Sequence, residues 1–424
     1  MEFNLCSLKK RIVHCIKSEI LQKPYANDSD NAWYVNFNNG NVNWNNLNND
    51  NLVRPVRQHS TSNPPLVLMF TIEKLWKAYR DCLQKKKGTV SALKFEMDRE
   101  RNLFTLLEEL QKRTYKISRH ICFVITDPTP REIFAANFRD RIVHHLLCNE
   151  IAPFFESDFV ETSFANRKGK GTHKAVQCLR ENMQNGGYFL KMDIQAFFRS
   201  INKDILYRML KKKLLSLGRS FSWTNNILWL CETIIFHDPV SDHIFCGEYP
   251  KNVIPPSKSL FYSGGKGLPI GNLTSQFFGN VYLNELDQYI RSLGFINIRY
   301  VDDFVLFGEK EDLLSVIMKI QEFLTQNLHL SIHPKKVILQ NVNKGVDFLG
   351  YFVKPDYTLV RRSVVSRLKK KMCCGGINLS TLNSYFGHFL HANSYGLRKS
   401  ICEKVSYLKF DSDYRKFITT SQIL

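Results

Sequence analysis

The stretch IRYVDDFVLFG, residues 298–308, places two adjacent carboxylates inside an otherwise apolar run. Asp302 and Asp303 are bracketed by Tyr300 and Phe304, a pattern typical of a tight hairpin between two buried strands. Burying paired like charges is costly unless a cation compensates them. Mg²⁺ takes hard oxygen ligands and leaves positions for substrate phosphates. Taken alone, the motif fits a metal-binding hairpin and a solvent-facing Asp-Asp turn about equally well.

A second acidic position resolves most of this ambiguity. In GGYFLKMDIQAFFRSIN, residues 186–202, an apolar strand ends at Asp193 and two aromatic residues follow it. A lone Asp at a strand end is commonly only a helix N-cap. Three carboxylates on two strands, however, can converge on two metal ions, as phosphoryl transfer to a 3′-hydroxyl requires. The two segments together favour a nucleotidyl-transfer site.

The composition of the chain points to a polyanionic partner. Its 424 residues are 44% hydrophobic, and Lys+Arg outnumber Asp+Glu by 59 to 39, a net charge of +20. Basic proteins gain free energy by releasing counterions from nucleic acid, which makes nucleic acid the leading candidate and an anionic membrane surface the rival. No apolar run reaches the roughly 18 residues that a membrane-spanning helix needs, so we expect no membrane partner.

The N-terminus and the cysteines indicate a cytoplasmic protein. The first 20 residues are amphipathic rather than a charged start followed by an apolar block, so they lack the pattern of a secretory signal. The 11 cysteines form no C-x-x-C pair, which suits reduced thiols better than a disulfide framework or a zinc site.

Hydrophobic periodicity predicts an α+β fold. Two helices are expected between Phe70 and Tyr115, then a strand, a Pro-marked turn and a strand in ICFVITDPTPREIFAANF. Strands are expected at YFLKMDI, INIRYVDDFVLFG and VDFLGYFV, with helices such as NKDILYRMLKKKLL and EDLLSVIMKIQEFLTQ between them. Basic helices follow at RRSVVSRLKKKMCC and LNSYFGHFLHANSYGLRKSI. The strict βαβ cadence of a doubly wound sheet is missing, which favours α+β.

Seven segments, in register along the chain, resemble the reverse transcriptases: TPREIFAANFRDRIVHHLL, SFANRKGKGTH, KMDIQAFFRSI, GKGLPIGNLTSQFFGNVYLNELD, RYVDDF, LSIHPKK and VDFLGYF. The IGNLTSQ block is similar, more specifically, to the reverse transcriptases of diversity-generating retroelements. The resemblance implies a right-hand polymerase with fingers at about 66–190, a palm at 191–353 and a helical thumb and C-terminal tail at 354–424.

The same resemblance implies the metal ligands. Asp193 and Asp302 would hold two Mg²⁺ ions, with Asp303 beside them and the Ile194 carbonyl as a backbone ligand; Mn²⁺ is the alternative ion. Lys336 of the HPKK segment matches the lysine proposed to protonate the leaving group.

Further residues are implied to surround the nucleotide. Arg131 and Arg167 would clamp the triphosphate of a deoxynucleotide, a task suited to guanidinium forks. Phe198, five residues after Asp193, matches the aromatic wall that excludes a 2′-hydroxyl. VDFLGYF would be the hairpin that grips the primer. The sequence leaves open whether Lys335 takes the place of the second lysine of HPKK.

One departure from the family pattern is informative. Most reverse transcriptases carry a glutamine before the glycine of this block, where the chain has Ile270 followed by Gly271. An isoleucine offers only shape and apolar contact to the incoming nucleotide, whereas rejection of a wrong partner depends strongly on polar groups left unpaired. We therefore expect low fidelity. Gln276 replaces a common proline nearby, so the effect need not belong to Ile270 alone.

An asparagine-rich segment, Asn27 to Asn51, precedes these motifs. Asparagine disfavours helix and strand interiors, so we expect a loop or disorder. Its codons begin with two adenines, and the N-F-N-N-G-N-V-N cadence resembles the translated, variable end of a lectin-fold protein. Residues 1–65 would then be a translated template repeat without an enzymatic role. The competing hypothesis is an accessory module that binds RNA or a partner through Trp33, Trp44 and the amides.

The sequence thus predicts an RNA-directed DNA polymerase that makes error-prone, adenine-mutagenic cDNA from a template-repeat RNA. Its expected partners are template RNA, the cDNA or primer, deoxynucleoside triphosphates and a small basic oligomeric accessory variability protein. A defence-associated bacterial reverse transcriptase is one alternative, and a non-catalytic RNA-binding scaffold is another. The intact Asp193, Asp302 and Asp303 argue against the scaffold.

Overall fold

A computed structural model describes residues 31–35, 42–46, 69–84, 88–126, 129–247, 254–373 and 377–405. The chain divides into two compact units, Met1–Val67 and Leu68–Leu424. Among the described helices, none is long and apolar enough to cross a membrane.

In the first unit the described residues form an antiparallel pair of strands. β1 (Asn31–Val35) pairs with β2 (Val42–Asn46), and Trp33 lies opposite Trp44. The expectation of a loop is therefore wrong for these two segments. Tryptophan, tyrosine and valine have high strand propensity, and here they outweigh the preference of the intervening asparagines. The rest of the predicted 1–65 segment lies outside the described residues.

The second unit begins with three helices, where the sequence predicted two. α1 (Ile72–Leu83) starts after Thr71, whose hydroxyl accepts a hydrogen bond from the Lys74 amide. α2 (Val90–Met97) and α3 (Arg99–Gln111) are separated at Asp98, which has φ −134° and ψ 49°. That one non-helical residue breaks an otherwise continuous helical pattern.

A three-stranded sheet and two helices come next. β3 (His120–Ile125) pairs antiparallel with β4 (Arg131–Ala135), as predicted, and parallel with the short β6 (His243–Phe245). α4 (Phe138–Glu156) follows β4, and α5 (Thr172–Met183) leads into the central sheet.

The central sheet has four antiparallel strands in the order β7-β8-β5-β9. Its strands are β5 (Tyr188–Asp193), β7 (Asn297–Tyr300), β8 (Asp303–Gly308) and β9 (Ile338–Asn341). The helices between them are α6 (Phe197–Ser200), α7 (Lys203–Ser216), α8 (Phe221–Phe236), α9 (Leu273–Ser292) and α10 (Lys310–Asn327).

Both faces of the central sheet are covered, which explains the near-continuous apolar runs of β5 and β8. On β5, Leu190 and Met192 join the large core that includes α1, α4 and α9. Phe189, on the opposite face, packs in a second core with α5 and with Phe348. Alternate side chains of a strand point to opposite faces, so a strand covered on both faces needs apolar residues at almost every position.

A small sheet and three helices complete the described chain. β10 (Val346–Phe348), β11 (Tyr351–Val353) and β12 (Thr358–Val360) are antiparallel. α11 (Arg362–Cys373), α12 (Leu379–Phe389) and α13 (Tyr395–Val405) follow. The predicted palm boundary at residue 353 thus falls inside this sheet, since β12 pairs with β11.

Candidate active site

The end of β5 brings Asp193 opposite the acidic turn. Asp193 is the last residue of the strand and pairs directly with Asp303, the first residue of β8. The Ile194 amide donates to the Asp302 carbonyl at 3.1 Å, which fixes the turn against the strand end. All three carboxylates therefore lie together at one edge of the central sheet, where the sequence placed them.

The acidic turn, residues 300–303, has a strained backbone and is stabilised by a buried arginine. Val301 has φ +59°, a left-handed conformation that is unusual for a β-branched residue. Its carbonyl accepts a 3.0 Å hydrogen bond from Nη1 of Arg299. Arg299 and Asp287 are both fully buried and form a forked ion pair, with Nε and Nη2 of the arginine 2.6–2.9 Å from the carboxylate oxygens.

Two lysines form ion pairs with the carboxylates of the site. Nζ of Lys336 donates to Oδ2 of Asp193 at 2.8 Å, and Nζ of Lys191 lies 3.1 Å from Oδ2 of Asp303. Their exposure differs sharply, because the Lys336 side chain is 52% exposed and that of Lys191 only 13%. Lys336 can therefore leave its partner at little cost, whereas Lys191 is enclosed.

The electrostatics of the site call for positive charge. Burial, and then the neighbouring charges of Asp193 and Asp303, raise the pKa of Asp302 to about 6. Burial also raises the pKa of Asp303, although Lys191 opposes the shift. Oδ1 of Asp303 is buried and has no hydrogen-bond partner among the described residues. A dication would satisfy that oxygen and compensate the clustered carboxylates.

The donor set suits Mg²⁺ or Mn²⁺, but it is not arranged as a preformed cage. Within the described chain, no three His, Cys, Asp or Glu side chains are already placed to hold a metal. Two of the three carboxylates, Asp193 and Asp303, each have one oxygen in contact with a lysine ammonium. Mg²⁺ is usually bound by one or two protein carboxylates together with the phosphates of a substrate, so these carboxylates suit a site that the substrate completes.

The predicted nucleotide pocket is assembled around a glycine. Gly271 has φ +117°, and a Cβ there would lie 2.9 Å from Cγ2 of Ile133 on β4. The carbonyl of Ile270 accepts a hydrogen bond from the Phe134 amide at 3.0 Å. Ile270 is 37% exposed, so it is available to a ligand.

The aromatic pair after Asp193 rests on a second glycine. A Cβ at Gly279 of α9 would lie 3.2 Å from Phe197 and 3.4 Å from Phe198. Phe197 is buried in the core, and Phe198 is only partly buried. The partial exposure of Phe198 leaves part of its ring accessible to a nucleotide, and its role against a 2′-hydroxyl stays a prediction.

The two predicted arginines are placed very differently. Arg131 is the exposed first residue of β4. Arg167 has a side chain only 3% exposed: Nε bonds Glu156 at 2.7 Å, and Nη1 bonds the carbonyls of Val160 and Ser163 at 2.6 and 2.8 Å. In this structure the Arg167 guanidinium holds its own loop together rather than projecting toward a triphosphate, so the expected clamp does not match its contacts.

Lys335 and the predicted primer hairpin are also placed. Lys335 is exposed, and of the two lysines it is Lys336 whose ammonium bonds the Asp193 carboxylate. β10 and β11 form the predicted hairpin, with Leu349 and Gly350 in the turn at φ +49° and +89°. The sequence interpretation missed Arg299 and Lys191, although both signals were present as charged residues within buried strands.

A strand-end carboxylate facing an acidic turn in an antiparallel sheet, flanked by helices, is the architecture of a right-hand polymerase of the α+β class. The chain belongs to the reverse transcriptase (RNA-dependent DNA polymerase) family, whose model matches residues 126–353.

Curated relatives are proteins of introns. The putative COX1/OXI3 intron 2 protein of Saccharomyces cerevisiae is 24% identical over 331 residues, which cover 68% of this chain and 38% of that protein. Nuclear intron maturase 1 of Arabidopsis thaliana is 31% identical over 75 residues, covering 18% of this chain and 10% of that protein. The chain thus spans well under half the length of these relatives, and they lend no support to the retroelement assignment.

Solved structures of telomerases are also similar. Telomerase from Candida albicans in complex with a TWJ fragment of telomeric RNA has a TM-score of 0.43 at 12% identity, covering 73% of this chain and 60% of that one. Apo telomerase from Candida tropicalis has a TM-score of 0.42 at 11% identity, covering 58% and 55%.

Proposed function

We propose that this chain is an RNA-directed DNA polymerase that adds deoxynucleotides to a primer on an RNA template. The observation that carries the proposal is the register of Asp193 against Asp303, with Asp302 beside them in the turn between β7 and β8. Three carboxylates at one sheet edge can hold two divalent ions, and the basic chain suits a nucleic-acid partner.

Each residue of the site has a defined task in this reaction. Asp193, Asp302, Asp303 and the Ile194 carbonyl would hold Mg²⁺, which when bound activates the primer hydroxyl and stabilises charge on the α-phosphate and pyrophosphate. Lys336 is the better candidate for proton donor to the leaving pyrophosphate, because its ammonium is already at the site and its side chain is half exposed.

The nucleotide lies between Phe198 and the Ile270–Gly271 backbone in this proposal. Phe198 would exclude a ribose 2′-hydroxyl by occupying its space. Arg131 is the exposed cation on the strand hydrogen-bonded to the 270–272 loop, so it would meet the triphosphate. Arg167 would have to exchange its present contacts to take part, and we assign it a supporting role.

Primer extension tests the proposal. Purified protein should extend a DNA primer on an RNA template only when Mg²⁺ or Mn²⁺ is present, and Asp302→Asn should reduce the rate at least about 1,000-fold. Asp312→Asn is the matched control, since Asp312 is an exposed aspartate in the first turn of α10. Equal extension by the two variants would refute the assignment of the site.

We propose further that copying is error-prone at template adenines, as in a diversity-generating retroelement. Two sequence features support this: Ile270 supplies no amide to the nascent pair, and Asn27 to Asn51 has the composition of a translated template repeat. Ile270→Gln should lower misincorporation opposite adenine about 10-fold. Leu273→Gln is the control, because Leu273 is also 37% exposed. An unchanged error spectrum in Ile270→Gln would contradict the proposal.

A deletion tests the two hypotheses for residues 1–65. If they are a translated template repeat, a chain starting at residue 66 and supplied with template RNA keeps full cDNA synthesis. If they are an accessory module, synthesis is lost.

Co-purification from the native host tests the remaining proposed partner, a small basic oligomeric protein.

The intron-protein relatives favour a second candidate, a reverse transcriptase that copies the RNA of its own intron. Sequencing cellular cDNA separates the two candidates. Adenine-biased errors from one short template support the retroelement, whereas faithful cDNA of the flanking intron supports the intron-borne enzyme.

A further inference from the structure

Lys191 contacts two functional elements at once. Its Nζ lies 3.1 Å from Oδ2 of Asp303 and donates a 2.6 Å hydrogen bond to the carbonyl of Asp347 on β10. The same ammonium sits 5.6 Å from the centre of the Phe348 ring. It therefore bridges the acidic turn and the primer hairpin, residues 346–353.

The strand period explains this placement. Lys191 and Asp193 are two residues apart on β5 and therefore share one face. Asp303 pairs with Asp193, which makes it a diagonal neighbour of Lys191, within reach of a long side chain. A lysine at this position meets the turn on one side and β10 on the other.

The contacts have a directional consequence for Asp303. Oδ2 is taken by the ammonium, while Oδ1 is buried and has no partner among the described residues. The side chain is thus held with one defined oxygen left for a ligand. Because the same ammonium binds the Asp347 carbonyl, the position of this carboxylate is tied to the backbone that would carry the primer.

Lys336 provides the contrast. It contacts Asp193 from a half-exposed position and suits a group that moves during the reaction. Lys191 is enclosed by an aromatic ring, a carboxylate and a carbonyl, and suits a group that stays.

We propose that Lys191 is a positioning residue for nucleotidyl transfer, which holds Asp303 and the primer hairpin at a fixed separation. The inference rests on the proposed polymerase function. A lysine that served only to pack on Phe348 would be replaceable by methionine, which keeps the unbranched stem and loses only the charge.

The test compares Lys191→Met with Lys336→Met in two assays. Lys191→Met should weaken primer–template binding about 3–10-fold, measured by fluorescence anisotropy without divalent ions, and lower kcat about 10–100-fold with little change in the KM for dNTP. Lys336→Met should lower kcat and leave primer–template binding within about twofold.

A third variant separates positioning from folding. Lys191→Arg keeps a donor for both acceptors and should recover part of both losses, and thermal unfolding shows whether each variant is folded. If Lys191→Met keeps wild-type binding and kcat, or loses no more primer affinity than Lys336→Met, the inference is wrong. If the wild type binds primer–template but never extends it, the polymerase proposal fails, and the binding comparison still decides the tie to the hairpin.

Discussion

Replacing Arg299 with methionine removes the support of the acidic turn. Arg299 and Asp287 are both fully buried, and the arginine also bonds Oδ1 of Asn280 at 3.2 Å and the Val301 carbonyl at 3.0 Å. The substitution leaves a buried, uncompensated carboxylate in the middle of α9. It also leaves the strained turn without its donor.

The burial of Arg299 and Asp287 sets the expected loss of unfolding free energy. Removing one partner of a buried ion pair costs about 3–5 kcal/mol, because the remaining charge is desolvated and unpaired. Total stabilities of folded domains are about 5–15 kcal/mol, so the loss is about a fifth or more of the total free energy of unfolding. At an m-value of about 3 kcal/mol/M, the urea midpoint should fall by about 1–1.7 M.

Urea unfolding followed by circular dichroism measures this change, with Arg291→Met as the control. Arg291 is exposed at the end of the same helix, so its replacement should stay within about 0.5 kcal/mol. Adding Asp287→Leu to Arg299→Met should restore much of the stability, since an apolar pair of similar volume replaces the ion pair. Primer extension should stay impaired, because Val301 still lacks its donor. A midpoint shift below about 0.3 M for Arg299→Met alone would refute the reasoning.

Three further outcomes are expected. The pKa of Asp302 is raised to about 6, and its carboxyl group must lose its proton before it can bind a cation. The Mg²⁺ concentration for half-maximal extension should therefore fall as the pH rises from 5.5 to 7.5, and a concentration that does not change with pH contradicts this. Burial and the neighbouring His237 lower the pKa of His120 to about 4, so the folded state disfavours the charged imidazole. The free energy of unfolding should therefore fall by about 3 kcal/mol for this residue as the pH drops from about 6.5 to 4. Urea midpoints at both pH values measure this change, and His120→Gln should reduce the dependence of stability on pH. Gly267→Ala should destabilise by more than about 1 kcal/mol, since φ is +88° and a Cβ would lie 2.6 Å from the Arg199 carbonyl oxygen; thermal unfolding checks this, with Gly396→Ala, where the space is open, as the control.

The central sheet could be predicted because its strands carry strong local signals. β5 and β8 are apolar at nearly every position, β5 ends at Asp193 and β8 begins at Asp303, so both the strands and their functional ends were visible. β9 was missed, since its residues alternate only between exposed and half-buried positions and give no apolar run. The predicted helical segment LNSYFGHFLHANSYGLRKSI breaks after Phe389 into α12 and α13, where Ser394 hydrogen-bonds back to the Phe389 carbonyl.

The candidate site was predictable in its acids and less so in its cations. Carboxylates in apolar strands stand out in a sequence because their burial needs a reason. Lys191 and Arg299 are also charged residues inside strands, but the groups that such cations bind are not visible before the fold is known. Arg167 looked like a substrate clamp because of its motif, yet Glu156 and two loop carbonyls take its donors. Those contacts depend on a loop fold that the sequence pattern does not encode.

The two lysines of the site make similar ion pairs but differ in burial, and this difference favours different roles for them. Both ammonium groups lie about 3 Å from an aspartate oxygen, so charge alone does not distinguish them. The half-exposed Lys336 exchanges its carboxylate for water at small cost, as exposed pairs are worth about 1 kcal/mol or less. Lys191 has two protein acceptors and a ring around it, and leaving them would strand a buried carboxylate and a carbonyl. A group that must deliver a proton has to move, and one that must set geometry has to stay, so the exposure of each lysine supports the role proposed for it.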